Sequence, residues 1–174
     1  MKENKKKLFR KNCVIDDDWI ICESFVQGAS EVLRKHLIPF EQMDQYSFPR
    51  HQEWGVWVTA DLDLENRPDY LLAVPVIAIL LSSPEDGRIF TIARMLRQRY
   101  HFQGEIRAVG NVPLDQLYYL ASCGCDSFAL SGDVRLDDIG NYLQPYSENY
   151  QENVRRPPLF YRRASLTDQP IMAP

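Results

Sequence analysis

The stretch LLAVPVIAILL, residues 71–81, restricts this chain more than any other. Its second half, within PVIAILLSS (75–83), is a continuous apolar run of strand length. A strand of that composition is buried on both faces, as in a parallel sheet covered by helices. The run is too short to span a bilayer, and Pro75 interrupts it. The sequence after it changes period. PEDGRIFTIARMLRQRYHF sets Ile89, Ile92, Ala93, Leu96 and Tyr100 at helical spacing, and Gly104 stops that helix.

The alternation extends both ways. GVWVTADLD (55–63) reads as a strand and ENRPDYLLAV as a short helix whose first turn tolerates Pro68. EIRAVGN (105–111) is a strand, VPLDQLYYLASCG a helix, SFALSG (127–132) a strand and VRLDDIGNYLQPY a last helix. Strands separated by helices of this length imply right-handed crossovers. The expected fold class is therefore α/β, a mainly parallel sheet with about four βα units. Periodicity leaves a half-barrel-like sheet and a small open doubly wound sheet equally allowed.

Ahead of this core, LFRKNCVIDDDWIICES suggests two strands around the acidic turn Asp16–Asp18, an N-terminal β-hairpin or strand pair. EVLRKHLIPFEQM follows as a helix capped by Ser30, with Val32, Leu33 and Leu37 on its apolar face and Pro39 at its end. Residues 44–53 read as a loop. The chain of 174 residues, 45% apolar, fits a single α/β domain. Within it, residues 1–53 hold the hairpin and helix, 54–145 the βα core and 146–174 an extended C-terminal tail.

Composition narrows the function. A net charge of −4 gives no footprint for nucleic acid, and the basic start MKENKKK reads as a solvated tail. Neither a secretory signal nor a membrane span is expected, which points to a cytoplasmic location. Cys13, Cys22, Cys123 and Cys125 are then reduced thiols. No G-x-G-x-x-G, Walker A or G-x-S-x-G occurs, and His36, His51 and His101 lack metal-ligand spacing. No cofactor motif is recognisable, and no metal site is expected.

Ligands of parallel α/β sheets bind beyond the carboxyl ends of the strands. That rule selects Asp61 and Asp63, then Ser82, Ser83, Asp86 and Arg88, then Gly110 and Asn111, then Ser131, Gly132 and Asp133. Asp86-Gly87-Arg88 stands out, because a helix N-terminus favours an anion and Arg88 can clamp one with two hydrogen bonds. The competing reading gives Asp86 and Gly87 to the cap and the turn. Arg97 and Arg99 read as a solvated helix face, whereas Arg107, inside a strand, needs a carboxylate or a route to water. Asn111, Pro113 and Asp115 suit the start of the next helix, and Asp115 and Gln116 can also reach a shared pocket. In SCGCD (122–126), Gly124 reads as a left-handed helix stop rather than part of a redox pair, and Cys125 as a small apolar residue.

The block from Glu85 to Leu130 resembles the centre of a bacterial family of unknown function. Its pattern is D-G-R, S-x-A-R-x-L-R, G-x-L-R-A-x-G-x-V, D-Q and R-C-G-F-D. The chain matches at Asp86, Gly87, Arg88, Ala93, Arg94, Leu96, Arg97, Gly104, Arg107, Ala108, Gly110, Val112, Asp115, Gln116, Cys123, Gly124 and Asp126. Thr91, Ser122 and Cys125 depart from it, and Asn111 stands where the family often has an aspartate. That family is labelled a probable oxidoreductase involved in sulfite reduction, because its genes lie beside those of assimilatory sulfite reductase. The resemblance implies an accessory protein of sulfur assimilation that assists a sulfite reductase, with Arg88, Arg94 and Arg107 as ligands for an oxyanion. Two other readings stay open. One is an enzyme with a small-molecule site at the strand ends, using Asp86, Asp115 or Cys123. The other is an interaction module whose hairpin, or a tail carrying Tyr146, Tyr150, Phe160 and Tyr161, docks on a partner or a second copy.

Overall fold

The computed structural model describes residues 7–10, 13–23, 35–45, 54–66, 69–130, 136–143 and 154. Eight strands form one sheet: β1 (Lys7–Arg10), β2 (Cys13–Asp16), β3 (Ile20–Ile21), β4 (His36–Pro39), β5 (Trp54–Val58), β6 (Val76–Leu81), β7 (Glu105–Gly110) and β8 (Ser127–Leu130). Their order is β2-β1-β8-β7-β6-β5-β4-β3. All pairs from β3 to β8 are parallel, and β1 is antiparallel to both its neighbours. Helices α1 (Arg88–Gln98), α2 (Leu117–Cys123) and α3 (Leu136–Leu143) follow β6, β7 and β8. Among the described residues, no helix is long and apolar enough to cross a membrane.

Strand order decides the question that periodicity left open. From β3 to β8 the sequence of strands never reverses, so there is no doubly wound switch point and same-handed crossovers place the helices on one side. The sheet is a curled half-barrel. A second observation fixes the curl. β2 and β3 are the two edges, yet only Asp17, Asp18 and Trp19 join them. Laid flat, eight strands spaced roughly 4.8 Å apart would separate the edges by about 34 Å. The four Cα steps from Asp16 to Ile20 reach about 15 Å at most. β2 and β3 also run in the same direction. One run of chain thus borders both edges, pairing with β1 first and β4 afterwards.

The pleat divides the core. Ile77, Ile79 and Leu81 of β6 face the helices with Ile106, Ala108, Phe128 and Leu130, against Ile89, Leu96, Leu117 and Leu120. The alternate residues Val76 and Ala78 face the concave side with Leu8, Leu37, Val109 and Ala129, joined by Trp19, Ile21, Trp57 and Leu80. Both faces of β6 are therefore covered, as its composition demands.

Four expectations are corrected. The hairpin pairs β1 with β2, so Asp16–Asp18 does not form its turn and instead leads to the opposite edge. Leu37 and Pro39 belong to a strand, not a helix, while Ser30, Val32 and Leu33 lie outside the described residues. Leu37 and Ile38 are buried on opposite faces, and a parallel neighbour satisfies them. Pro39 fits because the carbonyls of Lys35 and Leu37 accept from Ile20 and Cys22, so residue 39 also points toward β3, beyond its end. The expected helix at 65–74 is a 3-10 turn over Asp69–Ala73, and the strand at 55–63 ends at Val58. Residues 7–39 thus hold half the strands of the sheet.

Candidate functional site

The loops after β5, β6 and β7 form one rim at the strand carboxyl ends. Arg88 sits at its centre with its donors already engaged. Its Nε and Nη2 donate to the two oxygens of Asp86 at 2.8 and 2.7 Å, and its Nη1 donates to Asp61. Asp86 Oδ1 also accepts the backbone N–H of Arg88 at 3.2 Å, covering a donor at the start of α1. The hydrogen bonds from Arg88 hold the Asp86 carboxyl below the usual carboxylate range, and Asp86 and Asp61 push the guanidinium pKa further up. The position read from sequence as an anion clamp is filled by the protein's own carboxylates.

The neighbouring candidates tie loops together. Asn111 Nδ2 donates to Ser82 O at 3.2 Å, and Gln116 Nε2 donates to Pro84 O at 2.7 Å. Asn111 thus does not cap the next helix, where the short 3-10 turn Leu114–Gln116 begins after Pro113 without a side-chain cap. Gly110 takes φ +93°, and a Cβ there would lie 2.5 Å from Leu81 O, so the close approach of β7 to β6 needs glycine. Asp115 is exposed in the first turn, as its charge favours. Gln116 Oε1 is buried without a partner among the described residues. Ser131, Gly132 and Asp133 lie outside the described residues.

Beside this rim, at the carboxyl ends of β4 and β5, lies a cleft of about 220 Å³. Phe40, Trp57, Val58 and Leu62 give it apolar walls, and Glu41, Asp61, Asp63 and Thr59 supply its polar groups. Trp57 is fixed there by its indole N–H, which donates to Cys22 O at 2.8 Å. Asp63 accepts from Glu65 N at 2.9 Å and Asn66 Nδ2 at 2.7 Å. The bond from Asn66, with that from Glu65, keeps the Asp63 carboxyl low and charged. Among the described residues no group of three His, Cys, Asp or Glu side chains converges on a metal-sized site. The strand-end rule thus reached Asp61 and Asp63 from the sequence but not Phe40, Glu41 or Trp57. Reading the stretch up to Pro39 as a helix hid the strand whose end places the first two.

Arg107 is elsewhere, inside the concave face and 1% exposed. Its Nε and Nη2 donate to Glu105 Oε1 at 3.1 and 2.9 Å, and its Nη1 donates to Asp17 Oδ1 at 2.8 Å. Ser127 Oγ donates to the same Glu105 oxygen at 2.6 Å, and Arg10 pairs with the other at 3.2 Å. The Trp19 ring lies 5.4 Å from the guanidinium carbon. Two arginines and two carboxylates balance in charge. The carboxylate partner that Arg107 requires comes from two places, and Asp17 is 90 residues away in sequence. No local pattern announces it. Arg94 occupies a third place, on the outer surface of α1, where Nε donates to Gln98 Oε1 at 2.8 Å. Arg88, Arg94 and Arg107 therefore do not converge on one ligand.

The cysteine pair marks a corner. Gly124 takes φ +111°, its N–H donates to Ala121 O at 3.1 Å, and Cys125 N donates to Leu120 O at 3.0 Å. This is the paired-carbonyl helix stop that glycine favours. Arg97, read from sequence as solvated, closes the corner instead. Its Nε donates to Gly124 O at 3.1 Å, its Nη1 to Phe102 O and its Nη2 to Asp126, which accepts Ile106 N at 2.9 Å. A Cβ on Gly124 would lie 2.4 Å from Arg97 Cγ. Cys125 is fully buried, and burial pushes the Cys123 thiol up despite nearby Arg94. Arg99 remains on the surface, donating to Glu65 at 2.8 Å.

Residues 55–160 match the family model described as a bacterial protein of unknown function, DUF934. The chain belongs to this family. The DUF934 match starts inside β5 and leaves β1 to β4 outside it. Asp86, Arg88, Arg94, Arg107, Gly110, Asp115 and Gln116 fall within the DUF934 span, whereas Asp17, Phe40 and Glu41 precede it. No curated protein and no solved structure matches the chain.

Proposed function

We propose that the protein is an accessory component of assimilatory sulfite reduction, docking through its acidic rim on a sulfite reductase. The motif resemblance supplies the pathway, and the charge of the rim supports docking over oxyanion binding. Arg88 spends its fork on Asp86 and Asp61, while Glu41, Asp63, Glu85 and Asp115 stand exposed around it. That single observation carries the reading. Carboxylates with no counter-charge among the described residues repel a small oxyanion but steer a basic protein surface, and they do so in a salt-dependent way. The redox groups then belong to the partner, and this chain contributes binding. A second reading, small-molecule binding at the strand ends, is favoured by the cleft beside Trp57.

The test is co-elution with a sulfite reductase and its sulfite-reduction rate with and without this protein. We expect association that weakens between low and physiological salt. Glu85→Gln with Asp115→Asn, which leaves the cleft intact, should weaken it further. Absence of both association and any rate change would end the sulfite-reduction reading.

A further inference from the structure

We propose that the cleft at the ends of β4 and β5 binds a small organic cation, an alkylamine or related ammonium compound with a short apolar body. This inference goes beyond the docking reading and does not depend on it.

Size comes first. A volume of about 220 Å³ equals roughly seven waters at about 30 Å³ each. It is below the usual range of drug-sized pockets, so the ligand is small. Charge comes second. Glu41, Asp61 and Asp63 line the cleft, and Arg88 offsets only Asp61. Asp63 stays ionised through its bonds from Asn66 and Glu65, and Glu41 is exposed with no partner among the described residues. Among the described residues the cleft therefore keeps a negative surplus, which disfavours anions. Its walls come third. Phe40, Leu62 and the hydrogen-bonded Trp57 offer apolar surface next to the carboxylates, and an aromatic wall attracts a cation directly.

A bare divalent ion fits these observations poorly. It needs several oxygens converging at coordination distance, and the lining carboxylates form no such group. A compound carrying its charge at one end and methylenes at the other uses both kinds of wall. The apolar body lies along Phe40, Trp57 and Leu62, and the ammonium head faces Glu41 and Asp63.

The test uses the full chain, labelled with nitrogen-15, with the Trp57 indole N–H identified by Trp57→Phe. n-Butylammonium chloride, n-butanol and sodium butyrate are titrated at constant ionic strength. The expected result is a saturable shift of the Trp57 signal with butylammonium, at least about tenfold weaker with butanol and absent with butyrate. Added sodium chloride should weaken binding, and Glu41→Gln should do so severalfold while leaving the Trp19 and Trp54 signals in place. Equal responses to butanol and butylammonium would overturn the proposal. So would failure of butylammonium to saturate, its displacement by calcium at equal concentration, or full binding by a folded Glu41→Gln variant. None of these outcomes involves a sulfite reductase, so the two readings fail separately.

Discussion

Arg88 and Arg107 engage carboxylates in similar ways, each donating two bonds to one residue and a third to a distant one. Arg88 reaches both oxygens of Asp86, and Arg107 a single oxygen of Glu105. Their surroundings differ. The Arg88 side chain is 59% exposed and that of Arg107 is 1% exposed. At the rim, water competes for every bond, and removal of one partner leaves the others hydrated. On the concave face, the side chains of Glu105 and Asp17 are less than a tenth exposed, so water does not replace a lost guanidinium and Arg10 remains only at Glu105. Similar bonds thus serve different ends. Those of Arg107 hold the chain between β2 and β3 onto the sheet, and those of Arg88 set the charge of a surface.

The largest effect should follow from breaking the buried set. Arg107→Met leaves Asp17 in the interior without its counter-charge and Glu105 with only the part-exposed Arg10, which costs about 3–5 kcal/mol. Urea unfolding measures it. Adding Glu105→Gln and Asp17→Asn removes the stranded charges and should recover a large part of the loss. If the triple variant is as unstable as the single one, the damage comes from lost packing and the contrast with Arg88 loses its electrostatic basis.

How much of this contrast was legible beforehand depends on the range of the interactions. Within α1, residues three and four apart share a face, and Ile89, Ile92, Ala93 and Leu96 are buried as their spacing requires. The helix stop at Gly124 was equally local. The sheet's curl was not, because it follows from β2 and β3 occupying opposite edges, a pairing written nowhere in the local pattern. The strand at Leu37–Ile38 was misread because four apolar-rich residues are too few to separate a helical period from a strand. In the site, Asp61 and Asp63 were reached by a positional rule, while Asp17 and Glu41 depended on topology.

Between the two arginines lies Arg97, 15% exposed in its side chain and bonded to Gly124 O, Phe102 O and Asp126. Arg97→Ala should therefore cost an intermediate amount, about 1.5–3 kcal/mol for charged hydrogen bonds partly shielded from water. Gly124→Ala sharpens the point. In the parent chain it meets both Arg97 Cγ and the strain of φ +111°, and in the Arg97→Ala background only the strain remains. The second cost should be the smaller one. Equal costs would show that Arg97 gives way freely and is not fixed by its bonds.

The smallest change in stability should come from Arg88→Met, and the change in titration is the informative one. Arg88 holds the Asp86 carboxyl below the usual range chiefly through its hydrogen bonds. A depressed folded-state pKa adds stability that is present above the unfolded value, about 3.9 for aspartate, and is lost as pH falls through the folded value. Because solvent screens this pair, that contribution is slight, and the parent and Arg88→Met proteins should unfold alike from neutral pH down to the ordinary carboxylate range. The Asp86 carboxyl, followed by carbon-13 NMR, should nevertheless rise toward its ordinary value in the variant. Asp61, released from its partner, should add to the charge of the cleft and strengthen butylammonium binding at low salt, with the gain fading as salt is added. A large loss of stability in Arg88→Met would place the rim in the same class as the concave face. An unmoved Asp86 titration would show that the guanidinium does not set the charge of the rim.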